Sequence, residues 1–201
     1  MLSVVRGTAL LLTNGEPVTV NPSKGAREDV TNQFYFLGQG HLFDRIPMLL
    51  IFFILIALAG WFLLSKTTFG FRVYAVGGSA KAARLSGIQV SRTKVLTFTL
   101  MGLLSALAGI LSLAFLPSAQ AGRTGVGLEL DVIAAAIVGG ASLSGGEGTI
   151  LGTILGVLII GILRNGLILL GISPFWQTTI IGLVIIFAVG IDKWTEQRRA
   201  T

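Results

Sequence analysis

Residues 65–94 read SKTTFGFRVYAVGGSAKAARLSGIQVSRTK, and the fold is read outward from them. This stretch carries six positive charges, Lys66, Arg72, Lys81, Arg84, Arg92 and Lys94, and no acid. It lies between two uncharged apolar runs, 46–64 and 95–116. Short loops with such a basic excess stay on the cytoplasmic side of a membrane. Within the stretch, Ser79 is placed to cap a short helix through KAARLSGI that stops near Gly87. Ala82, Ala83, Leu85 and Ile88 then form a small apolar face beside Lys81 and Arg84. The residues alone leave two uses open: a surface gripped by a soluble partner, or an amphipathic helix lying on anionic lipid.

The composition agrees with a membrane protein. Of 201 residues, 53% are hydrophobic and 12% charged, with 27 glycines. The net charge of +6 does not point to nucleic acid, because nine of the 15 positives are concentrated in the basic stretch, which has six, and in the tail at Lys193, Arg198 and Arg199. There is no cysteine to build a disulfide or thiolate metal site, and the single histidine, His41, stands alone in a polar segment. No linker divides the chain, so a single transmembrane domain over 1–201 is expected.

Residues 1–13 are apolar but too short to cross ~30 Å of hydrocarbon, and Arg6 interrupts them. They read as the end of a membrane helix whose beginning lies upstream. Residues 14–45 are polar and mixed in charge, with Asp44 near their end and turn formers at Asn14-Gly15 and Asn21-Pro22, and are expected outside. Tyr35 and Phe36 are expected to rest on the membrane face. Residues 46–64, with Pro47 in the first turn, give about 28 Å of helix, a full crossing. The run 95–116 is a second crossing, with Gly102, Ser105, Ala106 and Gly109 suited to close helix packing and Pro117 ending it outside.

The segment 129–144 differs, since its apolar part reaches only about 18 Å. A short helix ending at Gly139-Gly140 is expected, buried in protein or lining a cavity. Asp131 marks its outer end, where a carboxylate suits a helix N-terminus. Gly148, Gly152 and Gly156 form a ladder of small residues that opens the run to Leu170. Arg164 and Asn165 interrupt this run, and a central arginine costs ~2.5–3.5 kcal/mol on insertion scales. Arg164 must therefore snorkel, pair or face a wet pathway, and Asp131, Arg164 and Asn165 are the candidates for a translocation path. Residues 175–191 form the last crossing, with Trp176 and Trp194 at the two interfaces. A basic tail on the same side as 65–94 requires an even number of passes after residue 94. That requires 129–144 to cross as a short, broken helix rather than re-enter.

Leu143-Ser144-Gly145-Gly146-Glu147 is close to the LSGGQ signature of ATP-binding cassette ATPases, yet no G-x-x-x-x-G-K-[ST] accompanies it. A glycine-rich turn is the better reading. No catalytic triad, carboxylate pair or metal-spaced cluster appears, so this chain is not read as an enzyme.

Several motifs together resemble the permease subunits of bacterial ABC importers for ribose and related simple sugars. They are 68–78 TFGFRVYAVGG, 82–88 AARLSGI, 118–120 SAQ, 127–135 GLELDVIAA, 139–146 GGASLSGG and 164–167 RNGL. The resemblance implies an all-α, polytopic transmembrane bundle in the bacterial inner membrane. It implies a homodimer, cytoplasmic ATPases that use ATP and Mg, and a periplasmic sugar-binding protein. Residues 82–88 (Ala82, Ala83, Arg84, Leu85, Ser86, Gly87 and Ile88) would be the coupling helix gripped by the ATPase, and no cofactor is expected on this chain. Family members carry further membrane helices ahead of the position of Met1, and asparagine where this chain has Ser79. A branched-chain amino acid permease is the alternative substrate class, and a truncated remnant the alternative status. An ion-coupled secondary transporter is disfavoured because only Glu129 and Asp131 lie near the membrane, both at an edge.

Overall fold

The structure, a computed structural model, describes residues 2–19, 28–42, 45–116, 118–120 and 124–199. The turn formers Asn21-Pro22, Asp44 and Pro117 lie outside the described residues, as do the side chains of the tail. The regular elements of the described chain are α-helices except for two short antiparallel strand pairs, consistent with an all-α membrane protein. Among the described residues, three helices are long and apolar enough to cross a membrane: Met48–Lys66, Val90–Phe115 and Ile150–Leu169. Two compact units are formed, residues 1–58 with 96–126 and residues 59–95 with 127–201.

In the first unit, α1 (Leu2–Thr13) ends where Asn14 and Gly15 turn left-handed. Strand β1 (Val18–Thr19) follows, and α2 (Glu28–Gln39) occupies part of the polar segment 14–45. Strands β2 (His41–Leu42) and β3 (Ile46–Pro47) pair with each other and lead into α3 (Met48–Lys66). Pro47 thus precedes the helix instead of sitting in its first turn. Farther along, α6 (Val90–Phe115) is followed by β4 (Ser118–Ala119), which pairs with β1. The docking of α2 rests on Gly38, whose backbone lies against Ala114 and Phe115, while the Gln39 amide donates to the Phe115 carbonyl at 3.1 Å. Phe36, expected on the membrane face, is exposed.

In the second unit, the basic stretch is not a loop. Helix α4 (Thr68–Gly78) starts one residue after α3, and α5 (Ala80–Leu85) starts one residue after α4. Thr67 stitches the first corner, donating to the Leu63 carbonyl at 2.5 Å and accepting from the Gly70 amide at 3.4 Å. Helix α6 begins at Val90, five residues before the uncharged run at 95, so that Ser91, Arg92 and Lys94 belong to its first turns. Helices α7 (Leu128–Val138), α8 (Ile150–Leu169) and α9 (Pro174–Arg199) share a core of Ala134, Ala135, Ile160 and Ile181.

The α7–α8 pairing places Gly152 against Gly139 and Gly156 against Ala135, backbone on backbone. Gly148, the first rung of the expected ladder, lies outside α8, because Thr149 caps the helix and Gly148 has φ +152°. Eleven residues give α7 only about 16 Å of rise, short of a bilayer core.

A methyl group at Gly156 would collide with the Ala135 carbonyl, whereas one at Gly161 meets nothing within 4 Å. Gly156→Ala is therefore expected to destabilise the detergent-purified protein by about 1–3 kcal/mol. Gly161→Ala should leave its melting temperature unchanged or higher. Equal melting temperatures for the two variants would refute this packing.

Candidate functional site

The candidate site in the second unit has two parts, the helical corner at α5 and the ion pair between α7 and α8. At the corner, Ser79 serves two helices. Its N–H donates to the Ala75 carbonyl and closes α4, and its hydroxyl accepts from the Ala82 amide at 3.2 Å and opens α5. At the far end Gly87, at φ +80°, donates to the Arg84 carbonyl, while Ile88 N–H reaches the Ala83 carbonyl. These two bonds form the Schellman ending, so a helix of six residues is closed at both ends.

The expected apolar face of α5 is divided by this geometry. Ala83 is buried and Ile88 half-buried, while Ala82, Arg84, Ser86 and Gly87 are exposed and Leu85 is 83% exposed. Residues at i and i+2 of a helix point about 200° apart, so Ala83 and Leu85 cannot share a face. The inward residue anchors the helix, and the outward leucine sits between Arg84 and Ser86 as a single apolar knob. An open cavity of about 560 Å³ is lined by Arg84, Ile88, Gln89, Ser91 and Arg92 among others.

In the membrane part, Arg164 Nη1 meets Asp131 Oδ2 at 2.7 Å. The Asp131 side chain is 14% exposed and that of Arg164 39%. Of the three fates open to Arg164, pairing is the one observed, and the partner is another of the candidate path residues. Arg164 Nε is buried without a hydrogen-bond partner. Asn165 is exposed and stands one position round α8, apart from the pair. The pair and the glycine contacts lie along one seam: Gly152 against Gly139, Gly156 against Ala135, then Arg164 against Asp131. Rising residue numbers on α8 match falling ones on α7, so the two helices run antiparallel.

Tyr74 was not singled out from the sequence beyond its place in the family motif. Its hydroxyl donates to the Gly148 carbonyl at 2.7 Å, joining α4 to the glycine-rich turn. The available signal was the coincidence of two glycine pairs, Gly77-Gly78 and Gly145-Gly146, which the structure brings together. Among the described residues no group of three or more His, Cys, Asp and Glu stands close enough to hold a metal ion.

Residues 1–189 match the family described as branched-chain amino acid transport system / permease component. The chain belongs to this permease family. The permease is 48% identical over 193 residues to the ribose import permease protein of Bacillus subtilis (strain 168), covering 96% of this chain and 57% of that protein. It is 42% identical over 193 residues to the ribose import permease protein of Escherichia coli (strain K12), covering 96% of the permease and 58% of that relative. The L-arabinose transport system permease protein of the same E. coli strain is 38% identical over 200 residues, 100% of this chain and 58% of the relative. The permease thus spans little more than half the length of these relatives. No solved structure matches it.

Removing one member of the Asp131–Arg164 pair strands the other in a poorly solvated place. Asp131→Asn is therefore expected to destabilise the permease more than Asp131→Asn combined with Arg164→Gln, with a coupling of about 1 kcal/mol in a double-mutant cycle. Additive effects would show that the ion pair contributes nothing beyond its separate residues.

Proposed function

We propose that the permease forms part of the membrane pathway of an ABC importer for a monosaccharide of the ribose type, driven by ATP and Mg on a partner ATPase. The observation that carries this reading is α5, a doubly capped helix whose exposed Leu85 and Arg84 stand out from an all-basic stretch. A protein partner suits this geometry better than a lipid surface. A lipid-bound amphipathic helix turns a broad apolar face to the membrane, whereas α5 buries Ala83 within its own unit and offers one leucine. The names of the relatives, two of ribose permeases and one of an arabinose permease, favour a simple sugar over a branched-chain amino acid.

In this reading residues 82–88 couple the ATPase to the membrane helices, and ATP hydrolysis belongs to the partner. Closure of the ATPase displaces α5. Because Ser79 joins α4 to α5 without slack and only Ile88 and Gln89 separate the Gly87 turn from α6, the displacement reaches α4 and α6 directly. A second permease subunit completes the pathway, and a periplasmic sugar-binding protein delivers the substrate. The stretch 65–94 and the tail face the cytoplasm of a bacterial cell, and 14–45 faces the periplasm.

In the assembled transporter, Arg84→Glu is expected to lower sugar uptake at least tenfold while hydrolysis continues without stimulation by loaded binding protein. Normal uptake and normal stimulation would remove residues 82–88 from the coupling role. Cysteines at Glu16 and Ser91, both exposed, should react with an impermeant maleimide from opposite sides of the membrane. Labelling of both from the periplasm would overturn the topology.

A further inference from the structure

The turn between α7 and α8 contains the LSGGE sequence that nucleotide contact does not explain. It is closed on itself: Ser142 N–H donates to the Glu147 carbonyl at 3.2 Å and Gly145 N–H to the Ser142 carbonyl at 3.2 Å. Gly145 and Gly146 have φ of +91° and +80°, which turns their faces toward the end of α4. There the two glycine pairs interlock. A Cβ on Gly77 would lie 2.6 Å from Gly146 N, one on Gly145 2.6 Å from the Gly77 carbonyl oxygen, and one on Gly146 2.7 Å from Gly78 Cα. No side chain lies between the two backbones, and the Tyr74 hydroxyl bonds the Gly148 carbonyl at 2.7 Å just beside them.

From this we infer that Tyr74 and the interlocked glycines 77, 78, 145 and 146 form a latch that carries motion of α5 to α8. Tyr74 is a positioning residue, acting through the turn. The inference rests on the coupling role proposed for α5 and adds the route beyond it. Gly78 is separated from α5 only by Ser79, and Gly148 from α8 only by Thr149, the residue that caps α8. Contacts of backbone on backbone have no rotamers to absorb a displacement, so the turn must follow the end of α4 or separate from it. A side-chain interface would yield by repacking. The hydroxyl of Tyr74 adds a directional bond beside these contacts, tying α4 to the turn at the Gly148 carbonyl. From α8 the displacement reaches Arg164 and, through the ion pair, Asp131 on α7.

The test compares wild type, Tyr74→Phe and Arg84→Glu in the assembled transporter, reading basal hydrolysis, stimulation by ribose-loaded binding protein, and hydrogen exchange over residues 142–148. For Tyr74→Phe we expect unchanged basal hydrolysis, faster exchange confined to the turn, and stimulation reduced about two- to tenfold, the factor set by one hydrogen bond. Gly146→Ala should give the same signature more strongly, since its methyl forces the backbones apart. Faster exchange with full stimulation makes the contact merely structural and overturns the latch. Lost stimulation with unchanged exchange over the turn overturns it too, because the effect then travels elsewhere. If Arg84→Glu uncouples and Tyr74→Phe does not, the latch alone fails; if Arg84→Glu couples normally, the reading of α5 fails and the latch with it.

Discussion

Close approach of backbones is the constraint on which the second unit depends. In lipid, apolar side chains gain nothing by leaving the solvent, so helices associate through van der Waals fit and polar contacts. The permease obtains that fit by removing side chains. Gly152 and Gly156 let α8 lie directly on Ala135 of α7 and on Gly139, which caps it, and the core of Ala134, Ala135, Ile160 and Ile181 closes around the seam. At the far end of the same seam, the Asp131–Arg164 bridge gives a membrane arginine its counter-charge. Apart from core residues such as Ile160 and Ile181, many large apolar side chains are turned outward: no residue of α3 is buried, and leucines and isoleucines of α8 such as Leu151, Leu155 and Ile162 are exposed.

Helix endings follow from the same environment. Helices α5, α7 and α8 stop at Gly87, Gly140 and Gly171, each at positive φ and each with the same pair of returning hydrogen bonds. That ending satisfies carbonyls within the chain, so α7 is able to stop after 11 residues without water to finish it. The α6 terminus is completed differently, by the amide of Gln39.

The parts of the chain governed by charge and by side-chain volume were legible in the sequence. The uncharged runs became α3 and α6, the apolar run interrupted by Arg164 became α8, the Ser79 cap and the Gly87 stop bound α5, and the short helix before Gly139-Gly140 is α7. Parts governed by tertiary fit were not. Residues 68–78 read as loop because three glycines and an arginine weaken any apolar period, and what makes them a helix is the Thr67 cap and the seat of Gly70 on Leu64. The inward turn of Ala83 and the outward turn of Leu85 depend on what α5 packs against, which composition does not show. The pairing of Arg164 was one of three possibilities until Asp131 was placed opposite it. Gly148 kept the spacing of a helical ladder while belonging to a turn, since spacing alone carries no information on where a cap lies.

Tyr74 hydrogen-bonds a backbone carbonyl, and the glycines on either side of it touch only backbone. A protein ordinarily recovers from an enlarged residue by shrinking the side chain it strikes, and this is how compensating pairs of substitutions arise. Here there is no side chain to shrink. An intragenic suppressor of a bulkier residue at Gly77, Gly145 or Gly146 must move a whole helix, so a genetic search for second-site revertants would return the original glycine or nothing.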